Sequence, residues 1–335
     1  MKVLIITDTS FDQINGVVTT LKNTIKGLES NGYTVDVITP DNNFKTISLP
    51  TYKEIKVAIN PWKIRNMILK SNADFIHVAT EGPLGLFATN FLRKVGKRFT
   101  TSYHTKMPEY VHARFKCILT SWGYAYMKHI HKKSSNILVT TPSMKDELIK
   151  HGFDGNITVW NRGVDTTLFN PENREIDSDT THFLYVGRIS VEKNIQAFLD
   201  MDIIGIKHIV GDGPLLNTYK TLHKNNSNII FHGAKMGKDL QQAYVNADVL
   251  VFPSLTDTYG IVMLEAMACG TPVAAFKVTG PIDCVTDGIT GFVKDDLKAA
   301  TLDCLYLDRA LVAEYGSKNT WDTCTKTFIA SLARA

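Results

Sequence analysis

Two acids, Asp257 and Glu265, stand eight residues apart in the stretch Ser254-Leu255-Thr256-Asp257-Thr258-Tyr259-Gly260-Ile261-Val262-Met263-Leu264-Glu265. A strand pattern ends just before it at Phe252, and a helix pattern starts near Gly260 and stops at Gly270. If all eight residues were helical, the acids would span roughly 12 Å, about the length of a sugar, diphosphate and ribose in line. The helix start between them offers free amides to an anion. The spacing fits one carboxylate on sugar hydroxyls, a diphosphate on the amides, and the other carboxylate on a ribose. The alternative is that Asp257 only caps the helix and Glu265 is an ordinary helical residue. A second constellation lies at Gly187-Arg188-Ile189-Ser190-Val191-Glu192-Lys193-Asn194, where two cations sit five residues apart at a strand-to-helix turn. Arg188 through its fork and Lys193 as a point charge could clamp a diphosphate from two sides. Surface cations at a helix start are the alternative.

The elements that must position these residues alternate along the chain. In the first half, strand patterns fall at Val3–Ile6, Thr34–Thr39, Asp74–Val78, Phe99–Tyr103, Asn136–Thr141 and Ile157–Trp160. Between them, Val18, Leu21, Ile25 and Leu28 recur at helical spacing up to Gly32, a Gly/Leu-rich helix precedes Phe99, and further helices cover Leu119–Lys132 and Met144–His151. Strand patterns return at His182–Val186, Ile206–Val210, Asn228–Phe231, Asp248–Phe252 and Pro272–Phe276. Such alternation predicts parallel sheets covered on both faces. The reading is an α/β chain of two Rossmann-like doubly wound domains, at 1–168 and 181–317, facing each other across a cleft. Polar residues 169–180 form the linker, and the last helical segment, about 318–335, is expected to pack back on the first domain.

With 335 residues, 44% hydrophobic and 21% charged, the composition is that of a two-domain globular chain rather than a disordered or disulfide-stapled one. No run approaches the roughly 20 apolar residues of a membrane span, and the four apolar residues near the start are too few for a signal-peptide core. The five cysteines show no C-x-x-C spacing, which argues for reduced thiols in a cytosol. Strand 1 runs into nine residues, Asp8 to Gly16, without G-x-G-x-x-G, so a nicotinamide dehydrogenase is disfavoured. Gly16 can still let a ligand approach the backbone, or serve only as a turn. The D-x-D matches Asp177-Ser178-Asp179 and Asp200-Met201-Asp202 read as chance. His129 and His131 point to different sides of a helix and are a poor metal pair.

The arrangement resembles the retaining glycosyltransferases of family 4, which have the GT-B fold. The likeness runs over nearly the whole chain. It is carried by Asn15-Gly16-Val17, His77-Val78-Ala79-Thr80-Glu81-Gly82-Pro83-Leu84-Gly85, Tyr103-His104-Thr105, Trp160-Asn161-Arg162-Gly163-Val164-Asp165, Val186-Gly187-Arg188 with Glu192-Lys193-Asn194, Val210-Gly211-Asp212-Gly213-Pro214, and Asp257 with Glu265. The resemblance implies that Arg188 and Lys193 bind the donor diphosphate and Glu265 the ribose. It implies that Asp257 and the amides of Tyr259, Gly260, Ile261 and Val262 bind the donor sugar. Gly16 would meet the diphosphate from the other domain, and His104 would reach the sugar or its phosphate. The catalytic set would then be Asp257, His104, Arg188 and Lys193, with Glu81 and Gly82 on the acceptor side. No metal or cofactor is expected, because the nucleotide sugar is a co-substrate and side chains supply the positive charge. UDP is the favoured base and GDP-mannose the alternative. The sequence departs from the family at Asp257, where Glu is usual, at Tyr259, where Phe is usual, and in a short helix after Lys193.

Charge is divided unequally. Residues 1–170 hold 22 Lys and Arg against 13 Asp and Glu, a balance of +9, which leaves −5 for the rest. Between Arg93 and Lys133 ten cations face one acid, Glu109, and alternate with aromatic residues. Lys106, Arg114, Lys116, Trp122, Lys128, Lys132 and Lys133 are expected to meet an anionic membrane, at about 1 kcal/mol per cation. Alternatively, the aromatics are core and the cations merely solvated. A single-stranded nucleic acid partner is disfavoured by the resemblance. Relatives with a stretch like His104-Thr105-Lys106-Met107-Pro108-Glu109-Tyr110 glycosylate membrane lipids such as diacylglycerol. The expected enzyme is therefore a hexosyltransferase acting on a lipid hydroxyl at the inner face of the plasma membrane. A polysaccharide or soluble glycan acceptor, a nucleotide-sugar epimerase and a non-catalytic nucleotide-sugar-binding protein stand as alternatives. Oligomeric state is left open.

Overall fold

The apolar runs become two parallel sheets because each strand feeds side chains to two cores. In the first strand Leu4 and Ile6 enter one cluster while Val3 and Ile5 enter another. In the first strand of the second unit, Phe183 and Tyr185 point one way and Leu184 and Val186 the other. Strands buried on both faces read as continuous apolar runs, which is the sequence pattern seen. The computed structural model describes residues 1–42, 44–49, 52–114, 120–172, 174–175 and 179–335. The chain divides into two units, Met1–Arg162 with Trp321–Ala335, and Gly163–Thr320. The second unit thus starts ahead of the segment expected as a linker.

The first unit contains β1 (Lys2–Ile6), α1 (Gly16–Ser30), β2 (Thr34–Ile38), β3 (Thr46–Leu49), β4 (Tyr52–Ala58), α2 (Ile64–Ser71), β5 (Phe75–Val78), α3 (Pro83–Val95), β6 (Thr100–Tyr103), α4 (Met107–Arg114), α5 (Thr120–His131), β7 (Ile137–Val139), α6 (Pro142–Lys150) and β8 (Ile157–Val159). Its described parallel strands run in the order β2-β1-β5-β6-β7-β8, and β3 and β4 form a separate antiparallel pair. Asn15 caps α1 by accepting from the Val18 amide at 3.0 Å. The second unit contains β9 (His182–Val186), α7 (Gln196–Leu199), β10 (Ile206–Val210), α8 (Leu216–Leu222), β11 (Ile229–Gly233), α9 (Gly237–Asn246), β12 (Val249–Phe252), α10 (Ile261–Ala268), β13 (Val273–Phe276), α11 (Pro281–Cys284), β14 (Gly291–Lys294), α12 (Leu297–Cys304) and α13 (Arg309–Gly316). Its order is β11-β10-β9-β12-β13-β14. In each sheet the order reverses at the first strand, which places the ligand-binding loops of this architecture after β1 and β5, and after β9 and β12.

The last helix, α14 (Trp321–Ser331), belongs to the first unit. Its Phe328 is fully buried, 5.0 Å from the Trp160 ring and 4.8 Å from the His77 ring. Trp160 Nε1 donates to the Cys324 carbonyl at 3.1 Å. The last helical segment, expected over about 318–335, is helical from Trp321 to Ser331. Asn319 accepts from the Val164 amide at 2.9 Å and Thr320 bridges Val164, so this backbone pairs with another segment instead of continuing the helix.

Candidate functional site

In the second unit the loops after β9 and β12 are tied together. Lys193 ends a single 3-10 turn, Val191–Lys193, after which Asn194 turns left-handed at φ 51°. Asn194 Nδ2 donates to the Pro253 carbonyl at 3.0 Å, and Thr256 Oγ1 donates to the Glu192 carbonyl at 3.2 Å. Lys193 Nζ lies 2.5 Å from Asp257 Oδ1, with 22% and 13% of the two side chains exposed. Arg188, half-buried on the same loop, has its carbonyl held by Tyr185 Oη at 2.7 Å.

The β12 loop closes at Gly260, whose φ of 89° suits glycine and where a Cβ would stand 2.8 Å from Phe252 Cζ. Helix α10 then starts with no side-chain cap and no acid in its first turn. Its leading amides keep the polarity that attracts an anion. Glu265 lies one turn further in, and Tyr244 Oη of α9 donates to its Oε2 at 2.8 Å. Burial pushes the Glu265 carboxyl up to about 7, opposed by the Tyr244 bond. Only Ile261 onward is helical, so the separation of Asp257 and Glu265 is not that of an eight-residue helix. The unit therefore carries Arg188, Lys193, Asp257, Tyr259, Gly260, Ile261, Val262 and Glu265 on or just beyond two neighbouring loops.

In the first unit Gly16 opens α1, Glu81 and Gly82 precede α3, and His104 follows β6. Sequence reading missed what organises them. Asp8, just past β1, accepts from the Leu84 and Gly85 amides at 2.7 and 3.1 Å and from Thr80 Oγ1 at 3.0 Å. It thus occupies the N-terminus of α3, and burial pushes its carboxyl up to about 6 despite those bonds. Gly82 permits this approach, since a Cβ there would lie 2.4 Å from Asp8 Cγ. Its position at a strand's C-terminal end was the available signal. Glu81 is only 6% exposed, with Oε1 3.4 Å from His131 Nε2, and burial raises its carboxyl.

His104 is buried and engaged at both ring nitrogens. Arg162 Nη2 donates to Nδ1 at 2.9 Å, which leaves Nε2 as the protonated nitrogen, 3.0 Å from Ser102 Oγ. Ser102 in turn meets His77 Nε2 at 2.9 Å, and His77 Nδ1 meets Thr100 Oγ1 at 2.9 Å. Burial and the Arg162 charge hold His104 well below the usual histidine range, and burial holds His77 at about 3. This buried chain, whose members are spread over 85 positions of sequence from His77 to Arg162, had no local signature.

The expected membrane residues separate. Trp122 is 75% exposed, and Lys128, Lys132 and Lys133 are exposed at the far end of α5 or just beyond it. Lys106 does not belong with them. It is 7% exposed and its Nζ lies 2.7 Å from Glu147 Oε2, so its charge is spent on an interior ion pair. Arg114 ends α4, and Lys116 lies outside the described residues, as do Cys117, Asp177 and Ser178. Among the described residues no helix is long and apolar enough to cross a membrane, and no three metal-ligating side chains converge.

Residues 14–168 match the family described as Glycosyltransferase Family 4, and residues 167–303 match Glycosyl transferases group 1. Together the two matches cover residues 14–303 and support a glycosyltransferase resembling those of family 4. The chain is 27% identical over 321 residues to a sulfoquinovosyl transferase of Arabidopsis thaliana, a match covering 87% of the chain and 62% of the plant protein. The chain thus spans less than two thirds of that relative. It is 26% identical over 345 residues to an alpha-monoglucosyldiacylglycerol synthase of Streptococcus pneumoniae, covering 91% of the chain and 78% of the relative. The fold is GT-B. The Anabaena protein HepE, solved with UDP and glucose, superposes with a TM-score of 0.74 at 17% identity over 99% of both chains.

Proposed function

We propose that the chain is a retaining hexosyltransferase that moves a sugar from a UDP-sugar to the hydroxyl of a membrane lipid such as diacylglycerol, working as a peripheral protein at the cytoplasmic membrane face. The observation that carries this reading is the 2.5 Å ion pair of Lys193 and Asp257 on the loops beside the uncapped start of α10. In the reaction the bond from the anomeric carbon to the diphosphate breaks and negative charge gathers on the leaving phosphate. Arg188, Lys193 and the leading amides of α10 oppose that charge where it develops. Asp257 accepts from the sugar hydroxyls and Glu265 from the ribose. The acceptor oxygen bonds to the anomeric carbon on the face the diphosphate leaves, and its proton departs with the diphosphate.

Likeness to a lipid glucosyltransferase and to a UDP-binding protein supports the acceptor class and the base. The test is a panel of nucleotide sugars, each with and without lipid extract. UDP-glucose should yield a glycolipid that keeps the donor's anomeric configuration by NMR, undiminished by a chelator. Lys193→Ala or Glu265→Ala should sharply reduce it while the fold stays intact. Turnover of GDP-mannose alone would change the base, a soluble glycan product would change the acceptor, and an isomerised sugar released without acceptor would make the chain an epimerase.

A further inference from the structure

Helices α4 and α5 enclose a hollow of about 270 Å³. Its walls are Met107, Pro108 and Val111 of α4 and Trp122, Tyr126 and Met127 of α5, and they are almost wholly apolar. Three of these side chains are left open to water, Trp122 by 75%, Tyr126 by 40% and Met107 by 39%. Large apolar side chains gathered around one opening mark a binding surface.

Two observations say what fits it. Tyr126 Oη donates to the Glu81 carbonyl at 2.7 Å, so the wall of the hollow touches the segment that leads into α3, where Asp8 and Gly82 also lie. A slot with apolar walls and a small polar group at one end is the usual form of a site for an amphiphile. The exposed Lys128, Lys132 and Lys133 lie at the end of the same helix, and cations beside an apolar slot complement lipid whose neighbours carry phosphate. We propose that the hollow takes one acyl chain of the acceptor lipid and thereby brings the acceptor hydroxyl to the Glu81–Gly82 segment. The proposal rests on the lipid-acceptor reading above and adds the device that selects the substrate by its tail.

The experiment uses the full chain, UDP-glucose and a series of water-soluble diacylglycerols from dibutyryl to dioctanoyl, without vesicles. Wild-type KM should fall by up to about fourfold per methylene seated, until the hollow is full. Val111→Trp, which fills the hollow from α4, should flatten the series, and Trp122→Ala, which removes a wall, should weaken it without adding bulk. Donor hydrolysis without acceptor, measured on the same samples, reports whether each variant is folded. A wild-type KM independent of chain length, or a Val111→Trp slope equal to that of wild type, overturns the proposal and leaves the lipid-acceptor reading standing. Donor hydrolysis with no glycosylation of any diacylglycerol overturns both. A wild-type dimer that Val111→Trp dissociates would assign the hollow to a second copy of this chain and overturns it too.

Discussion

Lys193 Nζ and Asp257 Oδ1 lie 2.5 Å apart across 64 residues of sequence, which makes one ion pair the clasp between the two loops of the proposed donor site. Removing either partner leaves the other charge in a mostly buried place. Lys193→Ala and Asp257→Asn should each lower kcat/KM for UDP-glucose by about 100-fold or more, the range for one lost charge stabiliser. The double variant should cost little beyond the worse single, because partners in one interaction are not additive. Steady-state kinetics on the full cycle decides this; additive losses would mean the two act separately.

Glu265 gives a pH signature. Its carboxyl, raised by burial to about 7, holds a proton in the folded chain that the unfolded chain gives up near 4.5. This contribution to stability is therefore present at low pH and is lost as pH rises through about 7. Ribose hydroxyls favour the ionised form, so UDP binding near pH 6.5 should release a proton, and affinity should rise from pH 6 to 8. Calorimetry in buffers of unequal ionisation enthalpy measures the release, and Glu265→Gln should abolish it.

Burial, and after it the Arg162 guanidinium, keeps His104 neutral, and the Arg162 hydrogen bond fixes its tautomer. Arg162→Met should raise the His104 pKa by removing a neighbouring positive charge. The ring should also lose its preference for the Nε2 proton. Histidine chemical shifts followed over pH would show both changes, and an unshifted His104 would refute the link.

Lys106 and the cations at the end of α5 should behave oppositely. Neutralising Lys128, Lys132 and Lys133 together should weaken binding to anionic vesicles by about 100-fold, at about 1 kcal/mol each. Lys106→Ala should leave flotation unchanged and lower the unfolding midpoint, since it takes the cation away from the largely buried Glu147 carboxylate.

Phe328→Ala should destabilise the first unit by about 3–5 kcal/mol, the usual cost of truncating a fully buried phenylalanine. Urea unfolding followed by circular dichroism measures it.

Legibility in the sequence followed locality. The strands His182–Val186 and Ile206–Val210 fall where their apolar runs place them, because a strand buried on both faces advertises itself residue by residue. Arg188, Lys193 and Asp257 on the loops and Glu265 in α10 were legible as candidates in the same way, because each set of types and spacing is continuous in the chain. The partners were illegible. Tyr244 reaches Glu265 from another helix, Glu147 takes Lys106 out of the basic patch, and Asp8 reaches amides 76 and 77 residues away. A charge count cannot distinguish Lys106 from Lys128, because burial is decided by which helix packs against it. The antiparallel pair β3 and β4 and the edge strand β14 escaped notice because they lie at the margin of the main alternating pattern.

The docking of α14 sets the order in which the chain can be completed. Trp160 and Phe328 cover one another, but 168 residues separate them in sequence. A ribosome delivers the whole of Gly163–Thr320 before it delivers the helix that closes the earlier unit. The half made first is thus finished last, and until then an apolar surface centred on Trp160 stays open to chaperones and proteases.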